Sequence, residues 1–169
     1  MIHLYYGDGK GKTSAAMGLA LRMAGRGRQV IVAQFLKSSD SGERCALAAL
    51  PNVLLLDAPE RVKFTFQLTA EERLAEANRA LLLLADSLRL AEETDCGLLV
   101  LDEVCDAVDT GLLPLETLLD ALDHCPSEIV LTGHQPCAAL LERADYLTCL
   151  KKERHPYDQG CPARSGIEF

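Results

Sequence analysis

The stretch Gly7-Asp8-Gly9-Lys10-Gly11-Lys12-Thr13 constrains the fold of this chain more than any other part of the sequence. An apolar run, residues 2–6, precedes it, and a helix-forming run, residues 14–24, follows it. The pattern therefore predicts a strand, a glycine-rich loop and a helix. Glycines let backbone N–H groups approach an anion closely, and the N-terminus of the helix adds a partial positive charge. Such a loop is typical of a phosphate-binding site.

The side chains of the loop favour ATP as the ligand. Lys12 can reach phosphate oxygens, and the hydroxyl of Thr13 can bind Mg²⁺. The alternative is a glycine-rich turn with no ligand, which the glycines, lysines and threonine in register make a poor explanation. The loop departs from the general pattern G-x-x-x-x-G-K-[ST], because Tyr6 stands where that pattern has glycine. We therefore interpret residues 7–13 as a variant ATP-binding loop.

A second motif, residues 97–103, is an apolar strand that ends in Asp102 and Glu103. In phosphate-loop proteins an acidic residue at this point faces the loop and binds Mg²⁺ directly or through water. The alternative is two acids at the start of a helix, where the helix dipole favours them. Together with the loop, the motif predicts one site for Mg²⁺ (or Mn²⁺) formed by Thr13, Asp102 and Glu103. Glu103 is the expected direct ligand.

Strand-like and helix-like segments alternate along the chain. This alternation predicts an α/β fold, a P-loop NTPase-like (RecA-like), mostly parallel sheet with helices on both faces. We expect a single domain over residues 1–169. The longest helix should begin at the capping box Thr69–Glu72 and place an apolar stripe on the sheet, formed by Leu74, Ala77, Leu81, Leu84, Leu88 and Ala91. The polar segment 37–43 should be a loop that lines the site.

Composition narrows the classes of partner. The net charge is −8, from 17 basic and 25 acidic residues, which disfavours a nucleic-acid partner. No apolar run is long enough to span a bilayer and no signal-peptide pattern is present, so we expect a cytoplasmic protein without a membrane partner. Seven cysteines without a C-x-x-C pair predict reduced thiols rather than a zinc or iron–sulfur site.

Two segments leave alternatives open. Phe64 and Phe66 would share a face of an extended segment, and the residues alone favour rings packed into the core over an aromatic wall for a flat ligand. The tail, residues 151–169, is either a frayed terminus or an ordered segment whose basic residues bind an anionic ligand. In the second case its apolar anchors would be Tyr157, Ile167 and Phe169.

Several motifs together resemble one family, the ATP:cob(I)alamin adenosyltransferases of the CobA/CobO/BtuR type. They are spread over nearly the whole chain in the family's order: residues 7–13, 32–37 with 42–43, 101–103, 131–133, and 155–160 with 163–169. The short glycine loop and the C-terminal signature are both characteristic of that family.

The resemblance implies that cob(I)alamin, or a related corrinoid, attacks the 5′ carbon of ATP, and that adenosylcobalamin forms as triphosphate leaves. Lys12, Thr13 and Glu103 would be the catalytic residues. The residues that would bind ATP are Gly7, Asp8, Gly9, Lys10, Gly11, Lys12, Thr13, Gln34 and Lys37. Phe64 and Phe66 would lie beneath the corrin ring. The resemblance also implies a homodimer and an electron donor such as a flavoprotein.

Two other functions remain open at this point. The chain could be another phosphate-loop enzyme, a small-molecule kinase or an ATPase, which would need an acceptor-activating carboxylate or a water-positioning residue. It could also be a non-catalytic protein that binds ATP and corrinoid. His134, which stands where relatives often have Arg after Thr-Gly, is expected to be a polar residue at the rim of the site.

Overall fold

The computed structural model describes residues 1–168 of the chain, and within them six strands form one sheet. The strands are β1 (Ile2–Tyr6), β2 (Val30–Gln34), β3 (Val53–Leu55), β4 (Leu98–Asp102), β5 (Glu128–Gly133) and β6 (Tyr146–Cys149). Their order across the sheet is β3-β2-β4-β5-β1-β6, and each neighbouring pair is parallel. The predicted α/β architecture with a parallel sheet is confirmed.

Helices cover both faces of this sheet. They are α1 (Lys12–Ala24), α2 (Gly42–Ala48), α3 (Ala70–Glu93), α4 (Val104–Asp109), α5 (Leu115–His124) and α6 (Ala138–Arg143), with short 3-10 helices at Thr65–Gln67 and Pro156–Gln159. Buried residues of α1 and α2 pack together on one face, and those of α3 to α6 pack on the other. Among the residues described, no helix is both long enough and apolar enough to cross a membrane.

The central strands are apolar on both sides because each side faces a helical layer. In β2, Val30 and Val32 pack with α1, whereas Ile31 and Ala33 pack with the core that contains α3. All residues of β2 and β4 are buried. This two-sided burial accounts for strands that read as continuous apolar runs, without polar alternation.

The strand order determines which loops meet. Because the strands are parallel, their carboxyl ends lie at one edge of the sheet. β5 lies between β1 and β4, so the glycine loop after β1 and the acidic end of β4 are separated by one strand. The end of β2 lies on the other side of β4, with Gln34 in register with Asp102.

Helix α3 begins as predicted, but the face that it presents to the core is only partly the predicted one. Thr69 Oγ1 accepts a hydrogen bond from the backbone N of Glu72, and the Glu72 carboxylate accepts one from the backbone N of Thr69, which completes the capping box. The predicted stripe is right in the second half of the helix, where Leu84 and Ala91 are buried and Leu88 packs against the core. It is wrong in the first half, since Leu74 is 65% exposed and Leu81 is 37% exposed. The residues that are buried are Ala80, Leu83, Leu84, Ser87 and Ala91. Four consecutive leucines at residues 81–84 make several stripes equally apolar, so the periodicity does not choose between them.

Helix α2 was not predicted. The polar segment expected to be a loop over 37–43 already becomes helical at Gly42. Leu47 is its buried residue and packs with α1, which is too little apolar surface to give a periodic signal.

We expect Leu84→Ala to lower the free energy of unfolding by about 2–5 kcal/mol, because Leu84 is 2% exposed and its removal leaves a cavity in the core. Leu74→Ala on the same helix should change it by no more than about 0.5 kcal/mol, since that side chain is exposed. Urea denaturation followed by circular dichroism measures both. Equal losses in the two variants would contradict the observed face of α3.

Candidate functional site

The glycine loop is held from behind by the segments that follow β5 and β6. The backbone N of Gly7 donates to the carbonyl O of His134 at 3.1 Å, and the backbone N of Gly9 donates to that of Leu150 at 2.7 Å. Gly7 has φ +114°, and a Cβ there would clash with the Leu150 carbonyl. Strand β1 continues through Tyr6, whose carbonyl O accepts from Leu150 N at 2.7 Å. The turn therefore starts at Gly7, one residue later than in the general pattern. Glycine is needed at this position because of its positive φ and the nearby Leu150 carbonyl.

Lys12 lies across its own loop. Its Nζ donates to the carbonyl O of Gly7 at 2.7 Å and to that of Gly9 at 3.0 Å. Burial lowers the pKa of Lys12, although the nearby carboxylates oppose this effect. Asp8 accepts a hydrogen bond from the backbone N of Lys152 at 2.9 Å, which ties the loop to the C-terminal tail.

Asp102 is the most heavily hydrogen-bonded side chain of the site, and it is fully buried. Its Oδ1 accepts from Thr13 Oγ1 at 3.0 Å and from Thr132 Oγ1 at 2.7 Å. Its Oδ2 accepts from Gln34 Nε2 at 3.1 Å. One carboxylate thus joins the start of α1 to the ends of β2, β4 and β5.

Glu103 adopts an unusual backbone conformation, with φ 60° and ψ 20° in the left-handed region. Its backbone N donates to Thr132 Oγ1 at 2.7 Å, which helps to hold this conformation in place. Burial, followed by the neighbouring charge of Asp102, raises the pKa of Glu103 to about 7. Strained backbone of this kind is concentrated at functional sites, where surrounding contacts over-determine it.

Lys37 brings a positive charge into this cluster. Its Nζ donates to Thr13 Oγ1 at 2.7 Å and lies 3.1 Å from Asp102 Oδ2, 3.8 Å from Glu103 Oε1 and 3.7 Å from Glu43 Oε1. Burial alone would lower the pKa of Lys37, but the Asp102 and Glu103 carboxylates outweigh it and raise the pKa. The ammonium is therefore fully charged at neutral pH.

Gln34, one of the predicted ATP-binding residues, lies beneath this cluster and is 1% exposed. Its Oε1 accepts from Arg44 Nη1 at 2.9 Å, and Arg44 also donates to the Leu56 carbonyl at 2.8 Å. Gln34 is thus positioned to orient Asp102 rather than to reach a ligand. Sequence reasoning missed Arg44 because it missed α2, the helix that carries it.

The surface above the loop encloses a cavity of about 670 Å³. Its lining combines loop, strand-end and tail residues: Gly9, Lys10, Gly11, Lys12, Thr13, Ser14, Met17, Lys37, Gly42, Glu43, Glu103, His134, Gly166, Ile167 and Glu168. Gly7, Asp8, Gln34 and Asp102 are not among the lining residues, and of these Gln34 and Asp102 are buried. The structure therefore brings most of the predicted ATP and metal residues to one cavity.

The C-terminal tail is ordered against the cavity, although not in the way predicted. Lys10 Nζ donates to the carbonyl O of Ile167 and lies 3.9 Å from Glu168 Oε1. The proposed apolar anchors Tyr157 and Ile167 are exposed, at 72% and 54%. The third, Phe169, lies outside the described residues. Polar contacts with the loop, rather than apolar burial, position residues 166–168.

Asp106, in the first turn of α4, is bonded to the end of β5 rather than left to solvent. Its Oδ1 accepts from the backbone N of His134 at 3.0 Å, and the His134 ring Nδ1 lies 3.1 Å from the same oxygen. The His134 side chain is 61% exposed and reaches the rim of the cavity, as expected. No sequence signal connects these two residues, because the pairing depends on the neighbouring positions of β4 and β5.

The phenylalanine pair is on the surface. Phe64 is 70% exposed and Phe66 is 81% exposed, and their rings stack with centroids 5.4 Å apart. The segment contains a 3-10 helix at Thr65–Gln67 instead of an edge strand, so core packing of these rings was a wrong prediction. Neither ring lines the cavity described above.

The donors at the centre of the site fit Mg²⁺. The Thr13 hydroxyl and the Asp102 and Glu103 carboxylates all lie within 4 Å of the Lys37 ammonium, so their oxygens face one position that suits a cation. Hard oxygen donors of this type suit Mg²⁺ or Mn²⁺ rather than softer metals. Within residues 1–168 no group of three or more His, Cys, Asp or Glu side chains could hold a metal. Two carboxylates and one hydroxyl are compatible with Mg²⁺, which commonly takes one or two carboxylates and completes its shell with water and substrate phosphates.

Gly7→Ala should lower the free energy of unfolding by about 1–3 kcal/mol, because alanine at φ +114° is strained and its Cβ meets the Leu150 carbonyl. Gly18→Ala is the matched control, since a Cβ in that exposed part of α1 meets open space. It should stabilise the protein by about 0.5–1 kcal/mol. Thermal unfolding compares the two, and an unchanged melting temperature in Gly7→Ala would show that the loop geometry is wrong.

Comparison with known proteins identifies the family. The model of the ATP:corrinoid adenosyltransferase family BtuR/CobO/CobP matches residues 1–169. A corrinoid adenosyltransferase from Pseudomonas aeruginosa is 32% identical over 170 residues, covering 98% of this chain and 82% of that protein. Those from Escherichia coli K12 and from Salmonella typhimurium, the latter named CobA, are each 30% identical over all of this chain and 85% of their own length. The chain therefore belongs to the BtuR/CobO/CobP family of ATP:corrinoid adenosyltransferases.

Proposed function

We propose that this protein transfers the 5′-deoxyadenosyl group of ATP to the cobalt of cob(I)alamin or a related corrinoid, releasing triphosphate. The observation that carries the proposal is the convergence of Lys10, Lys12, Thr13, Lys37 and Glu103 on one cavity, in a chain that matches the family over its whole length.

The reaction needs stabilisation of a leaving group more than activation of a nucleophile. The cobalt of a cob(I) corrinoid supplies an electron pair to C5′ of ATP, and the C5′–O bond breaks. The triphosphate leaves with the electrons of that bond. A nucleophile this strong requires no general base. What remains to be supplied is positive charge beside the triphosphate.

The loop is suited to supply that charge. In this structure Lys12 Nζ donates its hydrogen bonds to the carbonyl oxygens of Gly7 and Gly9, at 2.7 and 3.0 Å. Phosphate oxygens would be stronger acceptors for the same ammonium, because an ionised acceptor makes a shorter and stronger hydrogen bond. Lys10 and the N-terminus of α1 face the same cavity. These groups would hold the triphosphate before, during and after its release.

Mg²⁺ (or Mn²⁺) would be held by Thr13 and Glu103, with Asp102 in support. When bound, it would neutralise negative charge on the triphosphate. Thr13 is kept in position by its hydrogen bond to Asp102, and Asp102 by Thr132 and Gln34. These protein contacts orient the donors independently of any ligand.

Phe64 and Phe66 would provide the aromatic surface beneath the corrin ring. This role is supported by two observations: the rings are stacked on each other, and both are exposed. Adjacent exposed aromatic rings often mark a surface that contacts a partner or ligand. In this role they would exclude the lower axial ligand of the cobalt, which makes the cob(II) form easier to reduce. The homodimer and an electron donor such as a flavoprotein rest on the family resemblance alone, and the cytoplasmic location rests on the sequence pattern; all three are part of the same proposal.

An anaerobic assay with ATP, Mg²⁺ and chemically reduced cobalamin tests the reaction. Its readout is the change in the absorption spectrum of the corrinoid when the cobalt–carbon bond forms. We expect adenosylcobalamin and triphosphate in equal amounts. Lys12→Ala should lower turnover by at least about a hundredfold, because it removes a charge that acts on the leaving group. ADP as the product would instead identify a kinase or ATPase. Binding of ATP and corrinoid without any turnover would identify a non-catalytic protein.

Phe66→Ala should lower the rate that starts from cob(II)alamin with a reductant by about tenfold or more, and the rate that starts from pre-reduced cob(I)alamin much less. The aromatic surface is proposed to assist reduction, which the second assay bypasses. The melting temperature should not change, because the ring is 81% exposed. Leu82→Ala, which truncates an exposed apolar side chain on α3, is the control and should affect neither rate. Equal losses in both assays would contradict the role of the aromatic pair.

A further inference from the structure

The position of Lys37 has a consequence for how the site is loaded. Its ammonium lies 2.7 Å from Thr13 Oγ1, 3.1 Å from Asp102 Oδ2 and 3.8 Å from Glu103 Oε1. These three residues are the same ones proposed to hold the metal ion. Lys37 thus fills the position where their oxygens converge.

This arrangement is more than a flexible surface ion pair. The Lys37 side chain is 23% exposed, and Asp102, its closest carboxylate, is fully buried. Within residues 1–168, Lys37 makes every ion pair to Asp102 and Glu103 that falls inside 4.0 Å. The other lysine of the loop, Lys12, directs its ammonium to the Gly7 and Gly9 carbonyls. The charge of the acidic pair is therefore balanced chiefly by one side chain.

We propose that the Lys37 ammonium and the metal ion compete for the same oxygens, so that Lys37 keeps the metal out until phosphate groups draw the ammonium away. The inference rests on the metal site of the proposed function. Two cations at these distances would repel strongly in a partly buried site. A metal ion can therefore enter only when Lys37 leaves.

The chain allows Lys37 to leave. It lies in the irregular segment between β2 and α2, and a lysine places its charge at the end of a flexible four-carbon stem. The side chain also lines the cavity where the triphosphate is proposed to bind. The same movement would free the metal oxygens and give the phosphates a cation. Metal and nucleotide would consequently bind together rather than in succession.

Manganese binding without nucleotide tests the competition directly. Free Mn²⁺ is measured by electron paramagnetic resonance during titration of the wild-type protein, Lys37→Met and Lys37→Gln. Wild type should bind Mn²⁺ weakly, and both variants should bind it at least about tenfold more tightly, because a competing charge is gone. Lys37→Gln keeps hydrogen-bond donors near Thr13 and Asp102, so it serves if Lys37→Met does not fold. Circular dichroism establishes that each variant is folded.

Lys10→Met is the matched control. It removes the same charge from the same cavity, but Lys10 contacts the tail and none of the three metal residues. Its affinity for Mn²⁺ should therefore stay close to wild type. An equal gain in Lys10→Met and Lys37→Met would reduce the effect to general electrostatics and overturn the inference, as would no gain in either Lys37 variant.

A second titration with ATP separates this inference from the proposed metal site. ATP alone also binds Mn²⁺, so the same ATP concentration without protein is the blank, and wild type with ATP should take up more Mn²⁺ than that blank. If it does so and the Lys37 variants still show no gain without ATP, the competition is wrong while the metal site stands. If wild type with ATP takes up no more Mn²⁺ than ATP alone, the metal site itself is wrong, and the competition with it. Adenosyl transfer is not measured in either titration, so a failure of the proposed reaction would be recognised separately.

Discussion

The buried carboxylate of Asp102 is the interaction on which the rest of the site depends. A charge without solvent is costly unless hydrogen bonds and an opposite charge surround it. Asp102 obtains them from Thr13, Thr132, Gln34 and Lys37, which come from three separate parts of the chain. Each of those segments must therefore be in its place for the carboxylate to be tolerated. The requirement fixes the glycine loop, the end of β2 and the end of β5 relative to one another.

Each lysine at the cavity already has partners, which changes how recognition of a triphosphate should be understood. Lys10 contacts the tail, Lys12 the loop carbonyls and Lys37 the acidic cluster. Binding is then an exchange of hydrogen bonds and ion pairs, and its net free energy is the difference between the old and new partners. A ligand with several ionised acceptors, such as the proposed triphosphate, offers a stronger partner to each of the three lysines. These three lysines give a chain of net charge −8 a local concentration of positive charge where the triphosphate is proposed to bind.

The features that could be predicted from sequence are those determined by residues close together in the chain. The glycine loop, the buried strands and the Asp102–Glu103 strand end depend on local patterns of glycine, apolar and acidic residues, and the predicted α/β fold followed from their alternation. The inward-turned Gln34 and the pairing of Asp106 with His134 depend on which strands become neighbours, and periodicity carries no such information. The same holds for Phe64 and Phe66, whose aromatic character suggested burial until the path of the chain placed them outside. The buried face of α3 was mispredicted in part for another reason. The run Leu81–Leu84 is uniformly apolar, and such a stretch does not specify which face of the helix is buried.

The pairing of β1 also has a consequence for how the protein is made. This first strand contacts only β5 and β6 within the sheet, and the glycine loop behind it is braced by the carbonyls of His134 and Leu150. During synthesis on the ribosome, residues 1–13 must wait for more than a hundred further residues before their partners exist. Strands β2 and β4 can pair with each other before β1 finds its partners, because both lie in the first 102 residues. The glycine loop, although first in sequence, can therefore complete these contacts only after β5 and β6 have been synthesised, and long-range pairing of this kind makes folding slow.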